Sequence, residues 1–352
     1  MIDVLKQWYY RYFSDPQTII FALILLIGGL IIFVMSAHLT PILVGIVVAY
    51  LFEGLVARFE FINTSRLIAA STVTAIIITL ILLMMFVLLP QLSRQISDLF
   101  SELPNMFGKG QQLLSQLPQQ YPDYVSDQQV QELIGIIRTE IGALGQKVVS
   151  TSVTSVVGVI TFLVYLILLP LMVFFFIKDK SMILLWLGRF LPAERKLLSD
   201  VWLELNLKIA SYVRGKIIEI LVVWSASFIA FAFMGLNFAM LLSLLVGLSV
   251  IIPYVGATVV TIPVALIAFF QWGSGSDFGY LMLAYAIIQF LDGNLLVPLL
   301  FSEVVNLHPI AIIVAVVFFG SLWGVWGVFF AIPLATLIQA ILNVWPKTVV
   351  SE

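Results

Sequence analysis

"GLSVIIPYVGATVVTIP", residues 247–263, lies inside an apolar run that extends from 237 to 270. One membrane crossing takes about 20 apolar residues, so this run is too long for a single span. Pro253 and Gly256 break it near its middle. A second overlong run, 308–345, contains "GVWGVFFAIPLATL" at 324–337, where Gly327 and Pro333 play the same part. Backbone that leaves the helix at membrane depth survives only where protein or a water-lined cavity satisfies its freed groups. The fold turns on these two breaks.

Composition fixes the solvent. The chain has 352 residues, 62% hydrophobic and 10% charged, with a mean hydropathy of +1.13. A soluble domain carries about a quarter charged residues. Lipid is therefore the expected surrounding, and the bilayer the first partner. A net charge of −2 argues against nucleic acid as a partner. There is no cysteine and there are two histidines, so neither a thiolate chemistry nor a His-rich metal centre is expected.

The expected class is an all-α polytopic membrane protein with about eight membrane segments. They fall near 17–36, 39–57, 67–90, 153–177, 212–235, 237–270, 278–301 and 308–345. The leader "MIDVLKQWYYRYFSDPQ" (1–17) carries an aromatic cluster suited to the membrane interface. The segment after it is too long for a signal-peptide core and reads as a retained span.

Positive charge sets the orientation. Segment 178–216 holds eight cations: Lys178, Lys180, Arg189, Arg195, Lys196, Lys208, Arg214 and Lys216. It should face the cytoplasm. Region 91–152 has four cations against six acids and should face outward. Arg58 and Arg66 then lie inside, as do both termini. The organisation is three N-terminal membrane helices (1–90), an extracytoplasmic amphipathic helical region (91–152), a fourth membrane helix (153–177), a basic cytoplasmic helical region (178–211) and a core (212–352).

The outer region alternates on a helical period. Leu92, Ile96, Leu99 and Leu103 share one face, and Leu133, Ile137, Ile141, Leu144 and Val148 another. "SDQQ" at 126–129 has the form of a capping box opening the second helix. The region reads as a solvated cap resting on the membrane; a homo-oligomer contact or a gate is the alternative.

Catalytic motifs are missing. No phosphate-cradling G-x-x-x-x-G-K-[ST] and no H-E-x-x-H occurs, and no cofactor is implied. Nothing in the sequence supports an enzyme.

The acids inside apolar segments carry the remaining information, because an intramembrane charge is costly and faces a bundle interior or cavity. From Ile217 to Pro346 there is no Lys or Arg. Within that stretch "DGNLLVPLLFSEVVNLHP" (292–309) holds Asp292, Asn294, Glu303 and His308. Asp292 has no cation close to it in sequence and is the leading candidate for an ion-coupling group. Asn294 would add an oxygen ligand, and Glu303 and His308 would sit at the mouth of the same site. His308 before Pro309 also fits a plain helix N-cap. Glu219 follows "YVRGK" by a turn; it is a second ion-coupling candidate, with snorkelling to Arg214 or Lys216 at the interface as the plainer reading. Glu53 near Arg58 fits an interfacial ion pair.

Each half of the core pairs an acid-bearing helix (Glu219, Asp292) with a Pro/Gly-broken segment. If both broken segments are re-entrant hairpins, the two units cross the membrane in opposite directions. That is the inverted-repeat logic of secondary transporters, with the site where the broken elements meet. One kinked span per segment is the alternative.

"PLMVFFFIKDK" (170–180), "YVRGK" (212–216), "IIPYVGA" (251–257), the stretch 292–309 and "WGVFFAIPLATLI" (326–338) together resemble the autoinducer-2 exporter family. The resemblance covers essentially the whole chain. It implies a multi-span permease of the bacterial inner membrane that exports a small solute or exchanges a monovalent cation for protons. The family's common Y-x-x-G-Q stands here as "YVRGK", with Lys216 in place of Gln. Three functions follow as expectations: a solute exporter coupled to proton or sodium, a cation/proton antiporter on the same scaffold, and a membrane scaffold or regulator without transport.

Overall fold

The computed structural model describes residues 16–120, 122–123, 126–139, 155–190, 196–253, 255–301 and 307–344. The aromatic leader, the cap beyond residue 139, the segment around Pro192, Glu303 and Lys347 lie outside the described residues. All regular structure among the described residues is helical.

Helix α1 (Pro16–Phe61) is followed by α2 (Arg66–Leu83), a π-helical turn (Met84–Leu88) and α3 (Leu89–Gln120). A short helix α4 spans 127–139. Then come α5 (Ser155–Lys178), α6 (Lys180–Gly188), α7 (Lys196–Phe233), α8 (Ala239–Ser249) and α9 (Val255–Trp272). The rest is α10 (Ser276–Leu291), a second π-helical turn (Asp292–Leu296), α11 (Val297–Phe301) and α12 (Pro309–Val344). Six helices among the described residues are long and apolar enough to cross a membrane.

One expectation changes here. The segments 17–36 and 39–57 are not two spans but parts of one helix of 46 residues. At 1.5 Å per residue it runs about 69 Å, and its single internal proline, Pro41, does not reverse the chain. The run 237–270 divides at its expected Pro/Gly break, and its first helix, α8, has 11 residues, too few to cross.

Ion pairing marks one end of the bundle. Arg66 reaches Glu53 at 3.3 Å and Glu60 at 3.1 Å, and Lys180 meets Glu53 at 2.9 Å. Arg66 also donates to the carbonyls of Ile177 and Lys178 at the C-terminus of α5, orphan acceptors that suit a cation. Glu53 is thus an ion-pair residue, paired with Arg66 and Lys180 rather than the adjacent Arg58.

The opposite end carries the cap. In α4 Ser126 and Gln129 bond reciprocally, Ser126 N–H to Gln129 Oε1 at 3.1 Å and Gln129 N–H to Ser126 Oγ at 3.3 Å. The expected capping box is present. On α3, Gln95 Oε1 accepts from the Leu241 N–H at 2.9 Å, satisfying a donor in the first turn of α8.

Helices α8 and α9 form an antiparallel hairpin. Its open end is pinned by Gln271, whose Nε2 donates to Gly235 O and whose Oε1 accepts from Asn237 N–H, both at 2.8 Å. At the closed end Gly256 lies against the Ser249 carbonyl so closely that a Cβ would collide with it. The hairpin packs on α7 and α10 through Val223, Phe231, Leu242, Val246, Ile267 and Leu281, all buried.

Helix α12 folds back on itself. Gly324 leaves helical geometry at φ 58°, ψ −135°, a region open chiefly to glycine. Beyond it a Cβ on Gly327 would collide with the Phe319 carbonyl. Ala315, Phe319 and Ala331 form one buried cluster with Leu334 and Ala335 beside them. Eight residues of straight helix span about 12 Å, so these contacts require a sharp reversal at 324. Ala340 then packs on Val201 and Leu205 near the start of α7.

Candidate functional site

Tyr212, Lys216 and Glu219 recur at i, i+4 and i+7 along α7, which puts them on one helical face. That face is the buried one: Lys216 is 3% exposed and Glu219 2%. Lys216 Nζ lies 2.6 Å from Glu219 Oε2 in an ion-pair contact rather than a well-directed hydrogen bond, since that oxygen is otherwise without a hydrogen-bond partner. The ammonium also donates to the Val250 carbonyl at 3.0 Å and lies 5.0 Å from the centre of the Phe301 ring. Val250 belongs to the α8–α9 turn, where the broken helix leaves carbonyls free.

Glu219 is therefore not an interfacial acid, and Lys216 does not snorkel. Snorkelling needs an open path to water, and the α8–α9 turn and Phe301 close it. Arg214, the other expected partner, is exposed, with its guanidinium beside Gly54 of α1.

Asp292 opens the second π-helical turn. Such turns widen a helix by one residue and recur at functional sites. Its side chain is 8% exposed, and Oδ1 is buried without a hydrogen-bond partner. One turn earlier on α10, Gln289 Nε2 is likewise buried and unpartnered. Both residues line a cavity of about 290 Å³ that Lys216, Glu219, Pro253, Ile312 and Ile332 also line. A buried donor and a buried acceptor, Gln289 Nε2 and Asp292 Oδ1, thus belong to residues that line one cavity. The expectation that Asp292 stands apart from any cation holds in sequence but not in space.

The other sequence candidates fall as follows. Pro253 lines the cavity with Ile252, and Ile332, beside Pro333, faces it from α12. Gly256 and Gly327 act one layer back, as the close-packed points of the two reversals. Asn294 is exposed and its amide donates to Phe290 O at 2.9 Å, so it faces away from Asp292. Two residues along a helix turn through roughly half a circle, which sets positions 292 and 294 on opposite sides. His308 is exposed, and its Nδ1 accepts from the Ile310 N–H at 3.3 Å. It caps α12 and does not face the cavity. Glu303 lies outside the described residues.

Sequence reasoning missed Lys216 and Gln289. The signal for Lys216 was there in the i, i+4, i+7 spacing with Tyr212 and Glu219, read instead as closeness to a basic loop. Tyr212 OH completes the link by donating to Phe329 O at 3.2 Å, tying α7 to the second arm of α12.

Residues 20–347 match the family model described as AI-2E family transporter. The chain belongs to the AI-2E transporter family. Two relatives named "Putative permease PerM", from Escherichia coli strain K12 and O157:H7, are each 47% identical over 352 residues, the full length of both chains. "Putative transport protein YueF" of Bacillus subtilis strain 168 is 28% identical over 260 residues, 71% of this chain and 69% of its own. Like its family, the chain is a multi-pass membrane protein of the permease class, and the bilayer is its surroundings.

Proposed function

We propose that this AI-2E family member is a secondary transporter of the bacterial inner membrane, exporting a small solute in exchange for protons or a monovalent cation. The observation that carries the reading is the unpartnered Asp292 Oδ1 on a cavity that the Lys216–Glu219 pair also lines. A carboxylate held there can take up or release a counter-charge from whatever enters the cavity.

The two reversals supply the moving parts. The α8–α9 hairpin opens toward the cap and brings its turn, Val250 to Pro253, to the middle of α7. The folded α12 opens toward the end of the bundle that carries Arg66 and Lys180. We read them as re-entrant hairpins from opposite faces, with α7 and α10–α11 as the crossings between them. Cytoplasmic placement of Arg66, Lys178 and Lys180 follows the charge rule. Helix α1, crossing once, then carries its Pro16 end to the outer side, in place of the cytoplasmic N-terminus that two spans would give. Alternating access is a rocking of the hairpin turns about the cavity.

The antiporter reading is favoured by one feature: apart from Lys216, Glu219, Asp292 and Gln289, most of the lining is apolar, which gives an organic solute few groups to be recognised by. Reconstitution into proteoliposomes with a panel of monovalent cations and small polar metabolites tests both. A pH gradient should drive movement of at least one of them through the protein and none through empty liposomes. Equal leak with and without protein across the panel would refute transport.

A further inference from the structure

Lys216 occupies the place of an ion. Its Nζ is held by one carboxylate oxygen of Glu219 at 2.6 Å and one backbone carbonyl, Val250, at 3.0 Å, under the face of the Phe301 ring at 5.0 Å. Oxygen ligands from a broken helix together with an acid and an aromatic face are what a desolvated monovalent cation needs. The carbonyl matters most, because it is offered by the hairpin turn itself.

We infer that the Lys216 ammonium is the resident cation of this site, tethered where a sodium ion would otherwise bind, so that the transport cycle runs on protons and leaves sodium unused. This rests on the transport reading above. It adds that the coupling ion is decided by one residue of "YVRGK".

Among the described residues the charged and titratable groups around the ammonium are few. Helix α7 supplies Glu219 and Tyr212, and the π-helical turn supplies Asp292. Among the described residues the hairpin turn adds the Val250 carbonyl, α11 the Phe301 ring, and α12 aliphatic side chains. With both acids ionised, two negative charges face one positive charge. A single further positive charge neutralises the cavity, and a proton on Asp292 suffices. Removing the ammonium leaves two acids, a carbonyl and room, which is a site for a metal cation. The Glu219 oxygen and the Asp292 oxygen, both without other partners, would then be ligands.

The test is thermal unfolding of the purified full chain in sodium chloride against choline chloride at matched ionic strength. The wild type should melt at one temperature in both salts. Lys216→Gln should melt lower in choline and rise in sodium, saturably, by about 3 °C for a site filled well above its dissociation constant. Adding Asp292→Asn should abolish that rise. Saturable, sodium-specific stabilisation of the wild type would overturn the inference, as would a folded Lys216→Gln indifferent to sodium. If Lys216→Gln does not fold, radiolabelled sodium binding to the wild type decides: saturable binding overturns the inference and its absence supports it. None of these readouts needs flux, so failure here is distinct from failure of the transport reading.

Discussion

Lys216 Nζ and Glu219 Oε2 lie 2.6 Å apart, one turn apart on α7, with both side chains sealed from solvent. Breaking a buried pair on one side costs about 3–5 kcal/mol, whereas replacing both partners by apolar groups of similar size is often neutral. Lys216→Met should therefore lower unfolding stability by about that amount in sodium-free detergent solution. Lys216→Met/Glu219→Met should recover most of the loss. A double variant no more stable than the single one would mean that the pair does not act as a unit.

Gly256 and Gly327 each leave no room for a Cβ because a carbonyl from the preceding arm, Ser249 or Phe319, fills the space. Backbone cannot step aside as a flexible side chain can. Gly256→Ala and Gly327→Ala should each cost about 1–3 kcal/mol through overpacking, read as a lowered melting temperature. Gly293→Ala, where a Cβ meets nothing within 4 Å, is the control and should be near neutral. Equal effects at all three would argue against tight reversals.

Gln271 bridges Gly235 and Asn237 with two hydrogen bonds of 2.8 Å, and Gln95 caps the α8 N-terminus from the cap helix. Gln271→Leu and Gln95→Leu should each cost about 1 kcal/mol. Both should also speed hydrogen exchange in 238–249, since the open end of the hairpin would fray. Exchange unchanged in that window would show that the hairpin does not depend on these pins.

A continuous α1 has a topological consequence. With Arg58 on the cytoplasmic side, Ile20 should lie beyond one crossing. Ile20→Cys should react with a membrane-impermeant thiol reagent from the outside, cleanly because the chain has no cysteine. Labelling from the cytoplasmic side only would restore two spans.

The membrane class, the capping box at Ser126, the two broken segments and the burial of Asp292 were legible in sequence because each leaves a local mark: hydropathy, a fixed spacing, a proline or glycine, an acid without a neighbour. What stayed hidden was who meets whom. Lys216 sits next to a basic loop in sequence, and only the α8–α9 turn laid over it makes it a cavity residue. Asn294 and His308 looked like ligands beside Asp292, but helical rotation turns the first away and the second caps α12. The join between 36 and 39 carries no glycine or proline pair strong enough to reverse a chain, and the helix runs through it.

In the proposed transport cycle Asp292 is the coupling group of the cavity. Asp292→Asn keeps size and hydrogen-bonding capacity and removes the titration, so the variant should insert and fold. Flux driven by a pH gradient in proteoliposomes should fall to the level of empty liposomes. Retained flux with the wild-type dependence on pH would show that Asp292 is structural and that coupling lies elsewhere.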